Sequence, residues 1–262
     1  MKRTLITTLL ATTLFFTANA QGPYKIGAAV YGLQAEYMQL WTAALQNHPA
    51  VKDGTVELTV FDGRYDASVQ QGQFETMVTQ GFDGIIFVPI DVEAGAAAVD
   101  FATASGIPVV GSNTRVNTDQ LLSYVGSDDV ESGKLEAQGV LDMLGNEGNV
   151  VILEGPLGQS AQIQRREGNL KAIEAQPGIK VLEMQTANWS RAEALSRMEN
   201  WLVTYGDKID GVIGQNDEMA LGAIEAIKAR SVDPSTVPIA GIDGITDALL
   251  AVQSGDLSFS IL

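Results

Sequence analysis

The sequence predicts an α/β fold of two similar lobes, each a parallel sheet flanked by helices, joined by a hinge with a ligand cleft between them. Three observations carry this. Apolar runs of strand length alternate with longer stretches of helical periodicity along nearly the whole chain, the mark of parallel sheets with crossover helices. Each strand run gives way to polar residues at its carboxyl end. The pattern restarts near Ser127 with no Pro- or Ser-rich linker, so the joint is expected to be a few strand-like crossings. The halves so defined are 21–126 and 127–256, with 257–262 a strand returning towards the hinge.

In chain order, Met1-Lys-Arg3, an apolar run from Leu5 to Phe16 and Ala18-Asn-Ala20 read as the parts of a cleavable secretory signal. The run is too short to span a membrane. A strand is expected over 24–31, a helix over 36–47 closed by His48-Pro49, a strand over 57–62 and a helix over 68–80. Ser68 with Gln71 three residues on has the form of a capping box for that helix. Strand 84–88, helix 93–105 and strand 107–111 complete the first half. Strand 123–126 then leads into Ser127-Asp-Asp129. The second half reads as helix 130–144, strand 149–153, helix 160–176, strand 180–185 and helix 191–205. Strand 211–214, helix 218–229, strand 238–241 and helix 245–253 follow. The strand-like run from Leu257 to Leu262 has no closing helix, and a native chain longer than this one is expected.

The chain of 262 residues carries 16 Lys and Arg against 32 Asp and Glu, and loss of Lys2 and Arg3 with the signal makes it more acidic still. That balance excludes nucleic acid, whose affinity rests on neutralising phosphates with basic side chains. It suits uncharged ligands. There is no cysteine, hence no disulfide scaffold and no lipid-modified cysteine at the cleavage site. An exported, unanchored, cysteine-free protein of this size points to a bacterial periplasm.

Catalytic patterns are weak. His48 is the only histidine, so a Ser-His-Asp triad would depend on a residue at a helix end. The stretch Gly126 to Lys134 lacks the spacing of a phosphate loop, with Leu135 where Ser or Thr should hold magnesium, and no G-x-G-x-x-G occurs. Gly158-Gln-Ser160-Ala lacks the closing glycine of a nucleophile elbow and reads as a loop before a helix. Asp128, Asp129 and Glu131 do not have calcium-loop spacing, and no second His or any Cys is present for zinc. The expectation is a protein with no catalytic residues, no cofactor and no metal.

What remains are hydrogen-bonding and aromatic residues at the carboxyl ends of the expected strands: Tyr37, Asp91, Asn113 and Thr114 in the first half, Arg165, Trp189, Asn216 and Asp243 in the second. Crevices outside strand carboxyl ends are where open parallel sheets bind small molecules. Planar Asn, Asp and Arg groups span neighbouring hydroxyls, and an aromatic face covers the C–H side of a sugar ring. Each residue also has a plainer reading. Asn216, Asp217 and Asp243 can cap helices, and Tyr37 with Trp41 can form a core stripe at i and i+4. Between Asn216 and Asp217, Asn216 is assigned to ligand and Asp217 to the cap.

Gln215-Asn-Asp-Glu-Met-Ala-Leu-Gly-Ala223, Gly241-Ile-Asp-Gly244, Ser160-Ala-x-x-x-Arg-x-x-Gly168 and Gly126-Ser-Asp-Asp129 together resemble the periplasmic sugar-binding proteins of the ribose type, which share their fold with the ligand-binding cores of LacI-type repressors. The resemblance runs from Tyr24 to Leu262. It implies that Asn216, Asp243 and Arg165 hydrogen-bond a sugar, that Trp189 stacks on it, and that Tyr37 and Met38 stand where ribose binders carry two phenylalanines. Where those proteins have Asp-Arg after the Ile-Pro-Val strand, this chain has Asn113-Thr114, which opens the ligand to other small sugars and polyols. It also implies a binding glutamine, a helix and a third hinge crossing beyond the last strand. The expected function is capture of a small sugar or sugar alcohol by a monomeric receptor, for delivery to an ABC permease and its ATPase. A receptor for chemotaxis or a sensor kinase, a transcriptional regulator core and an exported sugar-processing enzyme are the rivals.

Overall fold

The computed structural model describes residues 22–262; the signal sequence read over 1–20 lies outside the described residues. The described residues form two five-stranded sheets, all pairs parallel. The first lobe holds β1 (Tyr24–Val30), α1 (Glu36–Gln46), α2 (Pro49–Lys52), β2 (Val56–Asp62), α3 (Ala67–Thr79), β3 (Gly84–Val88), α4 (Val92–Ala104), β4 (Val109–Ser112) and β5 (Ser123–Val125). The second holds α5 (Asp129–Met143), β6 (Glu147–Glu154), α6 (Ser160–Glu174), β7 (Gly178–Thr186), α7 (Arg191–Thr204), β8 (Gly211–Gly214), α8 (Asp217–Ala229), β9 (Ile239–Ile242), α9 (Thr246–Ser254) and β10 (Phe259–Ile261).

The central strands are apolar throughout because helices cover both faces of each sheet. All four residues of β8 and all four of β9 are buried. Strand order is β2-β1-β3-β4-β5 in one sheet and β10-β9-β8-β6-β7 in the other. The winding therefore reverses between β1 and β3 and again between β6 and β8. A reversal leaves a crevice at the carboxyl ends of the two strands, since their following connections diverge. The loops after β1, β3, β6 and β8 are thus the ones the topology sets against a ligand.

One apolar core, built on Phe74, Met77 and Phe87, belongs to the first lobe, and another, built on Val140, Leu141, Ile152 and Ile213, to the second. A third joins Val30, Tyr31, Met38 and Val88 to Trp189, Met219 and Ile224, so the lobes meet through packed side chains.

Two local expectations need correction. The cap of α3 is Asp66, whose carboxylate accepts from the Ser68 and Val69 N–H groups; Ser68 lies inside the helix. Pro49 does not merely stop α1 but opens the one-turn helix α2, where the His48 ring accepts from the Ala50 N–H at 3.3 Å. Proline suits a first helical position because the N–H it lacks has no partner there.

Candidate functional site

The site forms where the two topological reversals face each other. Tyr31, Tyr37, Asn113 and Thr114 from the first lobe and Gln159, Ala161, Arg165, Trp189, Asn216 and Asp243 from the second line one narrow pocket. Seven of the nine residues singled out from sequence are therefore brought together.

Arg165 is the electrostatic centre. It lies on α6, which touches α5 at backbone distance: a Cβ on Gly133 would fall 2.3 Å from the Arg165 carbonyl, and one on Gly168 2.1 Å from that of Val130. The buried guanidinium donates from Nε to Asp129 Oδ1 at 2.9 Å and from one terminal nitrogen to the Gln215 carbonyl at 2.5 Å. Asp243 stands 3.8 Å from the same nitrogen. With Asp129 the closer partner of the guanidinium, burial pushes the Asp243 carboxyl up to about 8 despite the lowering pull of Arg165, so at neutral pH it carries a proton. The group offered to a ligand is both donor and acceptor.

On the opposite wall, Tyr37 accepts from Asn113 Nδ2 at 3.0 Å, which leaves its O–H to donate. Burial raises the Tyr31 and Tyr37 hydroxyls above the ordinary phenol range, so both remain donors. Thr114 is committed differently, since its hydroxyl donates to the Pro89 carbonyl at 2.8 Å. It shapes the pocket by packing.

The backbone is strained where the pocket is built. Asn113, Trp189 and Asp243 have φ of 60°, 58° and 127°, a region non-glycine residues adopt at a cost of order 1–3 kcal/mol each. For a tryptophan this needs strong compensation. The Trp189 ring lies on Gly155, where a Cβ would sit 2.0 Å from the ring. Its indole N–H donates to Gln159 Oε1 at 2.5 Å, and the Arg165 guanidinium stands 5.4 Å from the ring centre.

Asn216 stands both at the pocket and at the helix cap, and Asp217, read from sequence as the cap, does not cap α8. Asn216 caps α8, its side-chain oxygen accepting from the Met219 N–H at 2.9 Å, while it also lines the pocket. Its Nδ2 is the donor available to a ligand. Asp217, fully buried, accepts from Ser260 Oγ at 2.7 Å and the Ile245 N–H at 3.0 Å, tying α8 to β10 and the loop before α9. Met38 and Asp91 do not line the pocket. Met38 is fully buried in the core shared by the lobes, and the Asp91 carboxylate caps α4 through the Glu93 and Ala94 N–H groups. Tyr31 and Gln159 were missed by sequence. Tyr31 continues an apolar strand, and its position at the carboxyl end of β1 was the available signal.

Two parallel-sheet lobes with hydroxyl, amide, guanidinium and carboxyl groups converging from both define a two-lobed ligand-binding protein. The chain belongs to the family described as periplasmic binding protein domain, which matches residues 26–262. It is 40% identical over 240 residues, covering 92% of this chain and 67% of the relative, to the xylitol-binding protein of Mycolicibacterium smegmatis. It is 33% identical over 205 residues, 78% of this chain and 68% of the relative, to the ribose import binding protein of Haemophilus influenzae. A solved ABC transporter solute-binding protein from Bacillus halodurans with bound myo-inositol superposes with a TM-score of 0.84 at 36% identity, covering 90% of this chain and 81% of that one. The family and these relatives are binding proteins, not enzymes, and the resemblance to ribose-type proteins read from the motifs is confirmed.

Proposed function

We propose that this chain is a periplasmic solute-binding protein that captures a small sugar or sugar alcohol and delivers it to an ABC importer. The observation that carries this is the composition of the pocket: two phenol hydroxyls, the side-chain amides of Asn113 and Asn216, a guanidinium and a protonated carboxyl surround an indole face. Each such group left unpaired in a desolvated cleft costs about 1–3 kcal/mol, so the pocket favours ligands with hydroxyls on several sides and rejects those without. Xylitol, ribose and myo-inositol, bound by the relatives above, all have that character. Both walls come from one chain, so a monomer suffices. Ligand touches both lobes only when they meet, and binding energy is thereby converted into closure, the form that a permease and its ATPase would recognise. The acidic surface and the basic-then-apolar first twenty residues accord with export by a cleaved signal, and the hinge falls between residues 126 and 127, where the chain passes from β5 to α5.

A thermal-shift screen of pentoses, hexoses and polyols, with xylitol, myo-inositol and D-ribose among them, tests the reading. A true ligand at a hundred times its dissociation constant adds about 2.7 kcal/mol, a rise of roughly 5–10 °C for a protein of this size. Absence of a shift with every compound would overturn it. Long incubation with any hit should yield no product.

A further inference from the structure

The tripeptide Gly158-Gln159-Ser160, at the start of α6, touches the opposite lobe through each of its residues in turn. The Gly158 carbonyl accepts from the Val92 N–H at 3.1 Å. Gln159 Nε2 donates to the Pro89 carbonyl at 2.9 Å. Ser160 Oγ accepts from the Arg115 N–H at 2.6 Å. The partners sit after β3 and β4, at the ends of two neighbouring strands, so the three bonds register one lobe edge against the other. Gly158 has φ of 93°, a conformation that glycine alone adopts without strain.

Gln159 differs from its neighbours by reaching inward as well. It is 1% exposed, and its Oε1 accepts the Trp189 indole N–H. The Pro89 carbonyl it reaches also accepts from Thr114. One amide therefore links the first-lobe corner at Pro89 and Thr114 to the aromatic face of the pocket. We propose that Gln159 is a positioning residue for ligand binding: it makes the orientation of the Trp189 ring depend on lobe closure, with Gly158 and Ser160 completing a clasp that holds the closed form.

This rests on the sugar or polyol reading and is tested so that the two can fail separately. Gln159→Glu keeps an acceptor for the indole N–H but sets a carboxylate against the Pro89 carbonyl, and Gln159→Leu removes both arms. Association and dissociation of xylitol, myo-inositol and D-ribose are followed by tryptophan fluorescence. For any probe the wild type binds, Gln159→Glu should release it about tenfold faster, the effect of one disrupted interlobe hydrogen bond. Its association rate should stay close to wild type, a split between the two rates that a general loss of folding would not give. Unchanged dissociation would overturn the proposal. If the wild type binds no probe, the sugar reading fails, and the clasp is judged alone. The chain has no cysteine, so spin labels at Glu75→Cys on α3 and Lys171→Cys on α6 report lobe separation without background. Loss of the short distance in Gln159→Glu supports the clasp; an identical distribution, or no short distance in the wild type, refutes it.

Discussion

A buried guanidinium between two carboxyl groups has one charge to share, and in this pocket Asp129 takes it at 2.9 Å while Asp243 stands at 3.8 Å. Arg165→Lys keeps the charge but loses the fork that holds Asp129 and the Gln215 carbonyl together. Ligand affinity should fall by about 2–3 kcal/mol, as for a buried charged hydrogen bond, with calorimetry as the check. Asn216→Ala has two separable effects. It removes the α8 cap, costing about 1 kcal/mol in urea unfolding of the free protein, and it removes the Nδ2 donor, which should abolish the ligand-induced thermal shift. A retained shift would show that Asn216 is a cap only. Arg165, Asn216 and Asp243 were legible because each sits in a distinctive motif, the last two at strand ends and Arg165 in the early turns of α6. Met38 was misplaced because it was assigned with Tyr37 as a pair from the resemblance, whereas the next residue on a helix turns about 100° away and here turns into the core shared by the lobes. Gln159 was illegible, since its value lies in partners 70 and 30 residues distant.

The helix pair α5 and α6 carries the pocket's charge, and its contact is made by absence of side chains. Gly133→Ala or Gly168→Ala would drive a methyl to within 2.3 or 2.1 Å of facing backbone, where no rotamer change gives relief. The helices must part, at a cost of about 1–3 kcal/mol from overpacking. Because Arg165 Nε reaches across this seam to Asp129, the same substitution should weaken ligand binding, whereas Gly72→Ala on exposed α3, with nothing within 4 Å, should raise stability by about 0.5–1 kcal/mol and leave binding unchanged. Urea denaturation and calorimetry on the three variants separate these outcomes. The elements themselves were readable from periodicity, and the ends that slipped did so for local reasons. Asp66 outcompeted Ser68 as a cap because its carboxylate lies one residue before the helix and can accept from both Ser68 and Val69 N–H groups.

Two lobes of alternating strand and helix were legible because strands buried on both faces leave apolar runs that nothing else explains. The polar layer beneath the cleft was not. Fully buried Glu136 accepts from Asn169 Nδ2 at 3.1 Å, and Asn169 accepts from Gln215 Nε2 at 3.3 Å, beside the guanidinium's own anchor on the Gln215 carbonyl. Burial raises the Glu136 carboxyl to about 8, close to Asp243. Both groups hold a proton in the folded state that the unfolded chain releases near pH 4. The folded form therefore binds more protons across the window from about pH 4 to about pH 8, and stability must fall as pH rises through it. Glu136→Gln mimics the protonated carboxyl at every pH and removes that group's share of the loss. The variant should match the wild type near pH 5 and exceed it in melting temperature by several degrees near pH 8.5, the residual slope belonging to Asp243. A constant difference between the two proteins from pH 5 to 8.5 would mean that Glu136 titrates as it does in water. The same layer anchors Arg165, so Glu136→Gln should also flatten any loss of ligand affinity between neutral and alkaline pH, in proportion to the stability it restores.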